Sequence, residues 1–147
     1  MNPTSLRHAA AAVLWATAAS LPAHAASASL PPEQHSGAVA YVSGGIGDGE
    51  ARRFEFAFKD YPLVIELFEH GAQRDVYTAD AEVKITDPNG GLVLDRTSGG
   101  PFMLVRLPPG DYRLAASLKG HPLPQRRVHV VAGGHEKATF VFPAELG

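Results

Sequence analysis

The chain of 147 residues contains no cysteine. This excludes disulfides, cysteine nucleophiles, cysteine-ligated zinc and iron–sulfur centres, and it leaves no thiol for a lipoprotein anchor. Tryptophan is almost as scarce, with Trp15 as the single copy. No apolar run approaches the roughly 20 residues of a membrane-spanning helix. An excess of positive charge is also missing: 13 Lys and Arg face 15 Asp and Glu, for a net charge of −2. That balance argues against nucleic acid and against an anionic membrane surface, which both select basic patches.

What is present begins with the features of an export signal. Met1 to His8 is a short start with Arg7 as its only charged side chain. Ala9 to Ala19 is apolar and of signal-core length, too short for a bilayer. Ser20-Leu21-Pro22 breaks the run, and Ala23-His24-Ala25 supplies small residues for cleavage after Ala25, with Ala28 as a second position. A buried or interfacial N-terminal helix is the competing reading. Cleavage would remove Trp15 and Arg7, leaving 12 basic against 15 acidic residues and a charge of −3. The expected location is periplasmic or secreted. Without disulfides, the stability of an exported chain must come from its core.

Three segments follow: residues 1–25 as signal, 26–37 as a disordered linker and 38–143 as one domain. Its size, about 100 residues, suffices for a single core. Ala38 to Val42 is a strand candidate closed by Ser43-Gly44-Gly45. Glu50 to Tyr61 carries two patterns at once. Phe54, Phe56 and Phe58 alternate like a strand, whereas Phe54, Ala57, Phe58 and Tyr61 share one helix face. A short helix with Asp48 as N-cap is favoured, and it leaves Phe56 pointing off the main face; the competing reading packs Phe54, Phe56, Phe58 and Tyr61 all under the helix or within an edge strand.

From Leu63 onward, short apolar or alternating runs are punctuated by turn residues. Strand candidates are Leu63–Glu69, Val76–Thr78, Ala81–Ile85, Leu92–Leu94, Phe102–Leu107, Tyr112–Leu118, Arg126–Val131 and Lys137–Phe142. Asp87-Pro88-Asn89-Gly90-Gly91 is a strong hairpin turn. In Leu107-Pro108-Pro109-Gly110-Asp111-Tyr112, Pro109 fixes φ and Gly110 supplies a positive φ, which makes a turn between two strands. The fold expected is mainly β: a single antiparallel sandwich of about seven strands with one short N-terminal helix.

The GGPFMLVRLPPGDYRL hairpin, with the AEVKITDPNGG hairpin before it and a final strand pair, the last hairpin, around VHVVAGG and ATFVF after it, resembles carboxypeptidase regulatory-like and PEGA-type domains. These are small transthyretin-like sandwiches. The resemblance runs from Ala81 to Phe142. It implies a transthyretin-like fold and a binding role, and no peptidase activity, since the regulatory-like domain is not the catalytic part. The group usually carries a Thr-Asp-x-x-Gly turn before the strand that leads to Pro-Pro-Gly; here that turn is Thr97-Ser98-Gly99-Gly100 and has no Asp. Pro109, Gly110 and Tyr112 are read as structural residues, with the Tyr112 hydroxyl bonded to a backbone group as in a tyrosine corner.

No linear motif for catalysis stands out. The Ser43-Gly44-Gly45-Ile46-Gly47 stretch lacks the Lys-Ser/Thr end of a phosphate loop and reads as a connection. There is no Gly-x-Ser-x-Gly elbow and no acidic pair placed for glycoside hydrolysis. Asp60, Glu66, Glu69 and Asp75 read as surface charges. His35, His70, His121, His129 and His135 lack metal-ligand spacing, and Asp87, Asn89 and Asp95 are explained by turn chemistry better than by calcium. No metal or cofactor is expected.

The leading expectation is a non-catalytic exported module that binds another envelope protein, through a sheet edge by strand addition or through the Phe56 region. The second is carbohydrate or peptidoglycan binding on exposed aromatics, with Tyr41, Tyr77 and Phe56 as candidates. An unrecognised hydrolase is the third.

Overall fold

The computed structural model describes residues 29–144; the expected signal segment lies outside the described residues. In chain order the elements are β1 (Gln34–Ser36), β2 (Val39–Gly44), α1 (Asp48–Ala57), a 3-10 turn (Phe58–Asp60), β3 (Leu63–His70), β4 (Asp75–Tyr77), β5 (Glu82–Thr86), β6 (Leu92–Thr97), β7 (Phe102–Arg106), β8 (Gly110–Leu118), β9 (His121–Pro122), β10 (Arg126–Val130) and β11 (Glu136–Phe142). The chain is mainly β with one short helix, as expected, and its strands form two sheets. Among the described residues eleven strands occur where about seven were expected; β1, β4 and β9 are pieces of two or three residues.

One sheet has the order β1-β2-β7-β3-β11, with β4 extending along β3, and the other has the order β10-β8-β5-β6, with β9 beside β8. The ladders are antiparallel except that β11 runs parallel to β3, with Leu63 opposite Glu136 and Glu69 opposite Phe142. This is a departure from the all-antiparallel expectation. A parallel pair needs a long crossover, and here all of β4 to β10 lies between the two strands.

Two corrections concern turns. The Pro-Pro-Gly phrase, read from sequence as a hairpin turn, is a corner: β7 lies in the first sheet and β8 in the second. The same holds for β10 and β11, which the sequence reading paired as a final hairpin. The β5–β6 hairpin is as expected. Asp87 Oδ1 accepts from the backbone N–H groups of Asn89 and Gly91 at 2.9 and 2.8 Å, and Gly90 takes the positive φ of 82°.

The main core lies between the sheets. Leu63, Ile65, Leu67, Met103, Val105, Phe140 and Phe142 from one sheet meet Val83, Ile85, Leu94, Leu114 and Val128 from the other. A second apolar cluster lies on the outer face of the first sheet, where Phe54, Ala57 and Tyr61 cover Val42, Val64, Phe102 and Leu104. The first sheet is therefore covered on both faces at its centre. That explains why Leu63–Leu67 and Phe102–Val105 are continuous apolar runs, while β5 alternates buried and exposed residues over an open outer face. It also corrects the reading of Glu66 as a surface charge. Glu66 is 7% exposed and is held by the Thr139 hydroxyl and by Lys137 Nζ, each at 3.2 Å.

The linker expectation for residues 26–37 fails over its second half. Gln34–Ser36 forms β1 against β2, and Leu30 packs on the helix-side cluster. Residues 26–28 lie outside the described residues.

Candidate functional site

The helix is the element that separates Phe56 from the other aromatics. Its first turn carries Asp48 and Glu50, which suit the positive end of the dipole. The expected cap is corrected by one residue: Gly47, with φ 83°, is the N-cap, and Asp48 makes no side-chain cap bond. Phe54 and Ala57 are buried against the sheet, Phe58 meets the Phe102 ring edge-on at 5.3 Å, and Phe54 stacks on Phe102 at 5.8 Å. Phe56 lies about 200° around the helix from Phe54 and is 73% exposed, as the helical reading requires.

Around Phe56 the surface is cationic. Lys59 Nζ sits 4.2 Å from its ring centroid, and Leu30, Arg52, Arg53 and Ala57 share a shallow cleft of about 280 Å³ with it. Arg52, Arg53 and Lys59 lie three or four positions from Phe56, so helix geometry sets them around it. An aromatic ring with an open cationic rim can anchor a partner surface that is apolar and acidic.

Leu30 is placed in this cleft by a polar clasp. Arg106 Nε donates to Glu33 Oε1 at 2.6 Å, the Tyr61 hydroxyl donates to the same oxygen at 2.9 Å, and the Arg106 guanidinium lies 4.2 Å over the Tyr61 ring. These bonds, first the one from Arg106 and then the one from Tyr61, hold the Glu33 carboxyl below the ordinary carboxylate range. Burial, and then the bond to Glu33, raises the Tyr61 hydroxyl above its ordinary value.

The other candidate residues are not gathered with Phe56. Tyr41, read as an exposed sugar platform, is 4% exposed and packs between the sheets. It sits on the inward parity of β2, and its hydroxyl donates to Gln34 Oε1 at 3.0 Å. Tyr77 is exposed but its ring is engaged: it stacks on Phe68 at 4.8 Å and meets Phe102 edge-on at 5.0 Å. Its hydroxyl donates to Glu55 Oε1 at 3.2 Å, and burial followed by Glu55 raises its pKa.

Tyr112 lies just past the passage from β7 to β8. Its half-buried ring packs on the main core, and its hydroxyl donates to the Pro108 carbonyl at 2.8 Å, bracing the corner that passes the chain from one sheet to the other. Gly110 beside it has φ 156°. The glycine-rich stretch before α1 is a strand-to-helix connection with steric reasons for its glycines. A Cβ on Gly45 would overlap the Phe102 ring, and one on Gly100 would overlap the Gly44 carbonyl. In the turn that lacks Asp, the buried Ser98 hydroxyl accepts from the Ala81 N–H at 3.2 Å, and Ser43 Oγ accepts from the Gly99 N–H at 2.8 Å.

Among the described residues, no group of three or more His, Asp or Glu is placed to hold a metal ion, and no helix is long and apolar enough to cross a membrane. No protein-family model matches the chain, and no curated protein matches it.

Proposed function

We propose that this chain is a non-catalytic exported binding module of the carboxypeptidase regulatory-like kind, and that it docks another envelope protein through the Phe56 face. The observation that carries this reading is the exposure of Phe56, 73%, on a helix whose remaining aromatics are packed against the sheet. A phenylalanine so exposed contributes nothing to the core, and its rim of Arg52, Arg53 and Lys59 favours a partner with acidic residues around an apolar centre. The export reading rests on the charge, apolar and small-residue order of residues 1–25. The glycan reading loses two of its three platforms, because Tyr41 is buried and Tyr77 is stacked.

The test is cross-linking of the tagged mature protein in its own cell envelope, with wild type and Phe56→Ala compared by mass spectrometry. One dominant protein that is captured by the wild type and lost with Phe56→Ala is the expected result. Capture unchanged by the substitution overturns the assignment to this face.

A further inference from the structure

We infer that the outer face of the second sheet, opposite the helix, holds a binding site for an oxyanion, a phosphate or carboxylate group, clamped between Arg113 and Arg127. The two arginines are directly opposite each other on β8 and β10. Cross-strand neighbours have Cβ atoms about 4.5–5.5 Å apart, and like charges at that position destabilise the ladder. A chain selected only for folding would place opposite charges or neutral residues there. Among the described residues, no carboxylate of this face forms an ion pair with either arginine. Asp111 Oδ1 is 2.7 Å from His129 Nδ1, Asp95 pairs with Lys84, and Glu82 accepts from the Ser117 hydroxyl at 3.3 Å. Asp87 accepts through Oδ1 from the N–H groups of its own turn. Among the described residues, neither Arg113 nor Arg127 pairs with a carboxylate. Arg126, next in the chain, is engaged elsewhere, over the Phe140 ring at 5.5 Å.

The shape of the surface agrees with the charge. Arg113, Arg127, His129 and Asp111 line a cavity of about 370 Å³ whose remaining walls are Pro88, Tyr112 and Val128. That volume falls at the small end of ligand pockets, which are mostly apolar with a few placed polar groups. Two planar guanidinium forks on adjacent strands can each donate to a separate oxygen of one anion. Asp111 orients the His129 ring as it holds Nδ1. Pro88 and Val128 offer apolar contact to whatever carries the anion. This site is on the opposite face of the sandwich from Phe56 and does not depend on the reading of that surface.

The test is titration of the full mature chain, at low ionic strength, with inorganic phosphate in one series and succinate in the other. It is followed by calorimetry and by the Arg Nε–H resonances. The expected result is saturation at one anion per chain, with shifts confined to Arg113 and Arg127. The double variant Arg113→Lys/Arg127→Lys keeps the charge and loses the forks, so binding should weaken about ten-fold; Arg113→Gln/Arg127→Gln should abolish it. Both pairs are exposed, and an unchanged amide spectrum elsewhere confirms the fold. Saturation by phosphate alone assigns a phosphate-bearing ligand, and saturation by succinate alone a carboxylate. Saturation by neither, or equal binding by the lysine variant, overturns the site.

Discussion

Glu33 and Arg106 are 73 positions apart in the sequence and meet at 2.6 Å. Their contact fastens the segment before β1 to the end of β7, and through Leu30 it completes one wall of the cleft beside Phe56. The candidate binding face is thus built from three parts of the chain, with a charged clasp holding the outermost part in place.

The clasp should respond to acid. The carboxyl of Glu33 titrates below its ordinary range because Arg106 and Tyr61 donate to its charged form. A carboxyl whose folded pKa is depressed contributes stability above its unfolded pKa and loses it as pH falls through the folded value. The protection of the β1 amides, taken as the exchange rate relative to the intrinsic rate at the same pH, should therefore be high at neutral pH and fall below the ordinary carboxylate range. Both side chains are partly exposed, so solvent screening limits Glu33→Gln to a cost of about 0.5–1 kcal/mol. In that variant the acid dependence of β1 protection should flatten.

Phe56 and Phe54 make an internal pair of opposites. Phe56→Ala should leave stability within about 0.5 kcal/mol of wild type, since the ring is largely in water. Phe54→Ala removes a fully buried ring stacked on Phe102 and should cost about 3–5 kcal/mol. Urea unfolding of both variants checks the contrast. A large loss for Phe56→Ala would return that ring to the core and remove the reason for a docking face.

Tyr112→Phe deletes one hydroxyl whose partner is the Pro108 carbonyl. The ring stays, so the expected cost is about 1 kcal/mol, read as a lower urea midpoint with an unchanged slope. Partner capture at the Phe56 face should be unaffected.

Gly100→Ala is expected to be costly despite its small size. The new methyl would overlap the carbonyl of Gly44, which is backbone and has no rotamer to yield. Overpacking of this kind costs about 1–3 kcal/mol. The amide of Gly99, which donates to Ser43 Oγ, should shift in the nuclear magnetic resonance spectrum as β2 and the turn separate.

The sequence by itself determined the mainly β class, the position of nearly every strand and the β5–β6 hairpin. Each rests on a local cause. Gly, Pro and Asn-Gly fix turns through backbone geometry, and alternation fixes which side chains share a face. Only the tertiary structure decided how the other strands pair. The Pro-Pro-Gly phrase looks the same whether it closes a hairpin or turns a corner between sheets, because its own dihedrals do not encode the partner of the next strand. The same holds for β11, whose apolar alternation fits an antiparallel edge as well as the parallel place it takes beside β3. Burial of Tyr41 and Glu66 was also beyond local reading. A tyrosine or glutamate in a strand is buried or exposed according to what covers that face, and the cover comes from the opposing sheet for Tyr41 and includes the side chains of Thr139 and Lys137 on the neighbouring strand β11 for Glu66. The opposition of Arg113 and Arg127 is of this kind as well: 14 positions separate them in the sequence, and only the β8–β10 register sets one charge across from the other.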